Sequence, residues 1–208
     1  KRVARLLREQ GLQARRPRRF RVTTDSKHSL PVAPNRLNRR FYAKRPDRVW
    51  LGDITYFWTS EGWLYLAVLM DLCSRRIVGW ATGSRLTEDL VQRALESAIA
   101  SRRRPRRLLH HTDRGSQYAS RTYRETLKRH GLRLSMSRKG NCWDNAPTES
   151  LFSSMKTELG FDLPPWTREA CHAEIFEYIE AFYNRERLHS SIGYLSPDEF
   201  ERKLETKR

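Results

Sequence analysis

Three of the chain's 24 acidic residues stand where an acidic residue ordinarily does not. Asp53 lies inside "VWLGDITYF", an apolar stretch in which an unpaired charge is costly. Asp113 closes "LLHHTD". Glu149 follows "DNAPT" at the opening of a helix, where the positive end of the helix dipole favours an anion. The gap between Asp113 and Glu149 is 35 residues. Carboxylates brought together repel and raise each other's pKa, so something positive must offset them. Oxygen donors without a cysteine pattern suit Mg2+ or Mn2+. Two such ions ~3.5–4 Å apart could activate one oxygen and stabilise a leaving one in an in-line phosphoryl displacement. Lys156, about two turns or ~10 Å along the same helix face as Glu149, could hold a phosphate, a solvent-facing lysine being the alternative.

The neighbours of these carboxylates have plainer readings. His110 and His111 adjoin Asp113, but adjacent strand residues point to opposite faces and an ion of the Mg2+ class prefers oxygen. Direct ligation by either is therefore the minor reading. Asp71 precedes a turn and is expected to cap it, while Asp144 and Asn145 are expected to cap the helix that carries Glu149. Arg114, Gln117, Ser137, Arg138, Lys139, Asn141, Trp143 and Asn145 are candidate DNA contacts, with plain loop solvation the alternative for each. Tyr183, Asn184, Arg187 and His189 form a polar cluster open to packing, dimer contact or DNA contact.

Charge narrows the substrate. The chain carries a net charge of +17 over 208 residues, and residues 1–48 hold 16 Lys/Arg against 3 Asp/Glu. The excess is thus a segment, not a general property. Such a segment, with aromatic and proline residues among its arginines, is the footprint of a polyanion binder whose affinity falls steeply with salt. Arg15, Arg16, Arg18, Arg19, Arg39 and Arg40 are its candidate phosphate contacts. The cysteines, Cys73, Cys142 and Cys171, form no C-x-x-C pair, which argues against a zinc finger or disulfide framework and suits a reducing cytosol. No apolar run reaches the ~20 residues of a membrane helix, and no secretory signal opens the chain.

The elements that must position these groups follow from pattern. Val3, Leu6 and Leu7 give a short basic helix to Gln10, read as the end of a longer helical element; residues 12–45 read as a linker or arm. Strands are expected at 48–58, at 62–72, which is apolar throughout, and at 76–82, with close connections that make them antiparallel. A helix capped by Thr87 runs to Ala100, and Arg102–Arg107 reads as a basic linker. A strand at 108–112, a helix from Ser120 to His130 and a strand at 132–136 follow. "SRKGNCWDNAPT" reads as a polar loop without period, then a helix begins near Pro147. The helix from Thr167 to about Arg185 should bury Cys171, Ile175, Ile179 and Phe182, and Ser196-Pro197 opens a last short helix. The order gives an α/β protein with a mixed five-stranded sheet flanked by helices.

"WLGDITYF", "GWLYLAVLMDLCSRRIVGWA", "HHTDRGSQY", "SMSRKGNCWDNAPTES" and "YIEAFYNRERLHSSIGYLSPDEF" resemble, in order, the integrase-core transposases of the insertion-sequence-3 type. The resemblance covers roughly residues 48–200, and "RVTTDSKHSLPVAPNRLNRRF" resembles the same family's linker. The D,D-35-E spacing is shared with retroviral integrases. The resemblance implies an RNase H-like fold, a catalytic and metal-holding trio of Asp53, Asp113 and Glu149, a divalent metal, and DNA element ends and target as substrates. It also implies at least a dimer when two ends meet, in a bacterial, nucleoid-associated cytoplasmic setting. The expected organisation is a basic arm over 1–47, a catalytic core over 48–160 and a helical extension over 161–208. Two residues depart from the family pattern: Gly52, where a polar residue is usual, and Thr148, where a larger apolar one is. Much of the family's upstream helix-turn-helix and zipper part is absent, so end recognition is not expected to reside fully in these residues. The rival readings are a nuclease of RNA–DNA hybrids and a non-catalytic DNA-binding remnant.

Overall fold

A computed structural model describes residues 2–11, 28–102, 107–160 and 166–206. The arginines at 15, 16, 18 and 19 lie outside the described residues, as do residues 103–106 of the expected basic linker. The helix α1 spans Arg2–Glu9.

β1 (Val49–Thr59) and β2 (Gly62–Asp71) pair antiparallel, from Trp50 opposite Asp71 to Thr59 opposite Gly62. β3 (Ile77–Gly83) adds antiparallel to β2. The chain then crosses over through α2 (Glu88–Ser101) and places β4 (Leu109–Thr112) parallel to β1. A helical turn, α3 (Ser116–Ala119), and α4 (Arg121–Arg129) lead to β5 (Arg133–Met136), parallel to β4. The sheet order is therefore β3-β2-β1-β4-β5, the mixed five-stranded arrangement expected from the pattern. β2 is buried almost throughout, as its unbroken apolar run requires.

Each face of the sheet has its own core. Trp50, Leu69 and Ala67 pack against Leu90, Leu95, Tyr123 and Leu127 of α2 and α4. α2 lies so close that a Cβ on Gly79 would come within 2.5 Å of the Ala94 carbonyl and the Ala98 amide, which fixes glycine there. The other face, with Leu51, Leu66 and Val68, is covered by Leu151 and Met155 of α5 (Ala146–Leu159) and by Ile175 and Ile179 of the next helix. Each such fully buried side chain contributes about 1.5–3 kcal/mol of transfer free energy.

That next helix departs from expectation. α6 (Arg168–Phe176), capped by Thr167, continues through Glu177–Tyr183 as a π-helix. The i+5 bonding adds a residue to the turn. Tyr183, 2% exposed, thus replaces Phe182, 40% exposed, on the buried face. Behind it, Asn184 grips β3 from both sides: its Oδ1 accepts from the Ile77 amide at 2.9 Å and its Nδ2 donates to the Ile77 carbonyl at 3.1 Å. Tyr183 donates to the Arg75 carbonyl, and Arg187 pairs with Glu158. The polar cluster after the helix is therefore engaged in packing. α7 (Pro197–Glu205) opens with a full capping box on Ser196 and Glu199.

Three further differences lie between the main elements. Arg102, read as linker, is a half-buried clamp between Asp47 and Glu201. "SRKGNCWDNAPT" contains a 3-10 turn, Cys142–Asn145, that runs directly into α5. Residues 28–47, read as arm, lie against the core, with Leu37 only 3% exposed.

Candidate active site

β1 and β4 carry the two aspartates to one place. Leu51 pairs with His111, and both side chains point to the sheet face that α5 covers. Counting two residues on along each strand puts Asp53 and Asp113 on that same face. Asp53 is half-buried; its Oδ1 accepts from the Ile54 amide at 2.8 Å and its Oδ2 from the Thr148 hydroxyl at 3.0 Å. The Asp113 Oδ1 accepts from the Gly115 amide at 2.8 Å, which closes the turn into α3. Burial, and after it the charge of Asp113, pushes the Asp53 carboxyl up to about 8, with Glu149 a smaller addition. Burial also raises Glu149.

Glu149 stands off from the pair. Thr148, wholly buried, is the α5 residue that faces Asp53; the next position turns about 100° around the helix. Among the described residues, no three His, Cys, Asp or Glu side chains are gathered closely enough to hold a metal ion as they stand. The Asp53–Asp113 pair, on which the charge of Glu149 also acts, is an all-oxygen set whose mutual repulsion marks it as short of positive charge. Those donors fit a hard divalent cation.

The two departures from the family pattern have physical explanations. A Cβ on Gly52 would come within 2.7 Å of the His110 ring, so the ring and the missing side chain belong together. The Thr148 hydroxyl lies 3.0 Å from Asp53 Oδ2 and 2.8 Å from the Asn145 carbonyl, its one proton shared between the two acceptors, a tie between helix and strand that an apolar residue could not make.

Both histidines are occupied in the interior. The His110 Nε2 bonds the Tyr123 hydroxyl at 2.8 Å on the far face of the sheet. His111 bonds the Ser135 hydroxyl through Nδ1 and the Asp144 carbonyl through Nε2. Burial lowers them to about 3 and about 4, so both rings are neutral at physiological pH.

Asp71 caps its turn as expected, accepting from the amides of Cys73 and Ser74. Asp144 does not cap α5, nor does the Asn145 side chain. Asp144 instead accepts from Arg138 and Arg39, while the Asn145 amide donates to the Gly52 carbonyl at 3.3 Å. Of the candidate DNA contacts, Arg39, Arg138 and Asn145 are thus engaged within the fold. Arg114 donates through Nε to the Ser137 carbonyl, and Gln117 to the Leu86 carbonyl. Asn141 accepts from Arg39. Lys139, Arg40 and Trp143 are exposed, Trp143 at 66%. Lys156 is exposed on α5, its amine 4.6 Å from the centre of the Tyr56 ring. Thr148 is the residue that sequence reasoning missed; only its departure from the family pattern marked it.

An integrase core domain model matches residues 43–142, and a second integrase core domain model matches residues 149–204. "Transposase InsF for insertion sequence IS3A" of Escherichia coli (strain K12) is 50% identical over 203 residues, which span 98% of this chain and 70% of that protein. The chain belongs to the IS3 family of insertion-sequence transposases. A 31 kDa protein of insertion element IS600 from Shigella sonnei, uncharacterized, is 48% identical to this IS3-family chain over 97% of its length and 74% of the relative's. The fold recurs in a chain of the simian T-cell lymphotropic virus intasome solved in complex with PP2A regulatory subunit B56 gamma, with TM-score 0.64 and 21% identity over 86% of this chain and 60% of that one. It recurs again in the HTLV-2 integrase catalytic core domain, solved in complex with magnesium as a trimeric form, with TM-score 0.58 and 17% identity over 76% and 99%. The architecture is therefore RNase H-like. Membership in this family carries DNA transposition and a polynucleotidyl-transferase kind of activity.

Proposed function

We propose that this transposase cleaves the ends of its insertion sequence and transfers the freed strands, using Asp53, Asp113 and Glu149 with a divalent metal. The observation that carries the reading is the Asp53–Asp113 pair on the α5 face, where Asp113 is the largest charge acting on Asp53. The three carboxylates would hold Mg2+ or Mn2+, most simply as two ions. A bound cation supplies the charge that lets the carboxylates ionise together and polarises the phosphodiester.

The chain's own residues orient and bind. Thr148 and the Ile54 amide fix the direction of the Asp53 oxygens, and the Gly115 amide fixes Asp113. Lys156, Lys139 and Arg40, all exposed, would hold phosphates, the exposed Trp143 would stack on a base, and the basic sequence before residue 28 would hold DNA nonspecifically. In the first step water adds to phosphorus at the element end, and the 3′ oxygen leaves with a proton as a hydroxyl. In the second that hydroxyl attacks another phosphodiester and displaces its 3′ oxygen. Two ends must meet, so the working species is at least a dimer, acting on bacterial DNA in the cytoplasm. Among the described residues no helix is long and apolar enough to cross a membrane.

The test is Asp113→Asn, assayed on a duplex of element-end sequence with Mg2+. Loss of both nicking and strand transfer, with the fold retained by circular dichroism, is expected. Full activity of this variant sinks the proposal.

A further inference from the structure

Asp144 is a buried carboxylate that the proposed chemistry leaves unused. Its side chain is 0% exposed, yet it accepts five hydrogen bonds of 2.7–2.9 Å. Three come from Arg138: its amide, Nε and Nη2. The other two come from the segment ahead of the sheet, from the Asn35 amide and the Arg39 Nε. These bonds, Arg138's first, hold the carboxyl well below the ordinary carboxylate range.

What surrounds Asp144 gives this clamp a consequence. Its carbonyl accepts from His111 Nε2 at 3.0 Å, two residues before Asp113. The next residue, Asn145, donates to the Gly52 carbonyl, one residue before Asp53. Thr148, in the first turn of α5, donates to Asp53 itself, and Glu149 follows. Residues 144–149 therefore carry Glu149, touch Asp53 and reach, through His111, the strand that leads to Asp113. The same anchor receives the N-terminal segment a second time, because the Ser135 hydroxyl that bonds His111 Nδ1 also accepts from the Arg36 amide at 2.9 Å. Since His111 is neutral and its Nε2 faces a carbonyl, Nε2 carries the proton and Nδ1 accepts from Ser135.

We propose that Asp144 is a positioning residue for the phosphodiester chemistry, and that residues 35–39, docked on it, set the relative placement of Asp53, Asp113 and Glu149. This rests on the reading of that trio as the reacting centre. Active-site misplacements of about 1 Å cost up to ~100-fold in rate, so the arrangement does not need to move far to matter.

The experiment compares Arg39→Gln, Arg39→Lys and Asp144→Asn in the whole chain. It reads kcat and KM for nicking of a labelled element-end duplex with Mg2+, the salt dependence of DNA binding, and the thermal midpoint. Arg39 is 43% exposed on its side chain, so its replacement is expected to leave the fold intact, which the thermal midpoint checks. Arg39→Gln is expected to lower kcat about 5–10-fold with KM within about twofold, and Asp144→Asn to lower it about 30–100-fold. Arg39→Lys, which restores the charge without the guanidinium fork, recovers part of kcat. If Arg39→Gln raises KM and flattens the salt dependence while kcat holds, Arg39 is a phosphate contact and the inference falls. A folded Asp144→Asn with unchanged kcat overturns it as well; should that variant not fold, the Arg39 pair still decides. Asp113→Asn separates the two readings: if it is inactive while the Arg39 and Asp144 variants turn over normally, only the positioning role is lost.

Discussion

Two carboxylates on the same side of the sheet are treated in opposite ways. Asp53, half-buried, receives two neutral donors and faces another carboxylate, and its pKa rises to about 8. Asp144, wholly buried, receives five donors that include two guanidinium groups, and its pKa falls below the usual range. Burial alone would raise both. The count and charge of donors decides, and it divides the region into a satisfied anchor and an unsatisfied pair. An unsatisfied pair is tolerable only where something from outside completes it, which is why the contrast bears on function. The largest effect should come from the unsatisfied side. Asp53→Asn is expected to reduce strand transfer on element-end DNA by at least about 1,000-fold, since it removes an oxygen donor from the reacting centre. A variant retaining a tenth of wild-type activity would show that the pair is not the centre.

The satisfied side should govern stability as well as placement. Asp144→Ala leaves two arginines and Asn35 without their shared acceptor and opens a void beneath them. The expected loss is about 2–4 kcal/mol, read as a lower urea midpoint. A loss under about 0.5 kcal/mol would mean that the clamp is ornamental and the comparison false.

The sequence showed one side of this contrast and hid the other. Asp53 was legible because a charge in an apolar strand is conspicuous, and Asp113 and Glu149 because each closes or opens an element. The sheet was legible for the same reason: β2 is an unbroken apolar run, and short connections force antiparallel neighbours. Asp144 was not, because Arg39 and Asn35 lie 105 and 109 residues away in the chain. Arg102 hides likewise, clamped to partners 55 and 99 residues distant. The exchange of Phe182 for Tyr183 follows from one i+5 turn, which a 3.6-residue period cannot announce.

The pH dependence of stability sharpens the contrast further. In the folded chain Asp53 keeps its proton up to about 8, whereas unfolded it releases it near 4. Its contribution is therefore full below about pH 4 and is lost as pH rises toward 8. Asp53→Asn carries no such loss. Its stability relative to wild type should be near zero at pH 4 and grow with pH to about 1–2 kcal/mol at pH 8, below the ceiling of ~1.4 kcal/mol per pH unit because Asp53 is only half-buried. Urea titrations of both proteins at pH 5, 6.5 and 8 measure it. A difference that shrinks as pH rises would show that Asp53 is satisfied after all.

The smallest effect isolates a single donor. Thr148→Val keeps the shape of a wholly buried side chain but removes the hydroxyl that reaches Asp53 at 3.0 Å. That bond favours the ionised carboxylate, so without it the Asp53 pKa moves higher still. Ionisation must precede cation binding, because the acid form offers the ion no charge. The Mg2+ concentration for half-maximal nicking should therefore rise about 3–10-fold, equivalent to about 1 kcal/mol, while saturating Mg2+ restores most of the rate. Raising the pH should close the gap between variant and wild type, since both carboxylates then ionise. A Thr148→Val protein with an unchanged Mg2+ requirement but a lower rate at saturation would assign the hydroxyl to placing α5 and not to tuning Asp53, and would move Thr148 from the unsatisfied side of the comparison to the anchored one.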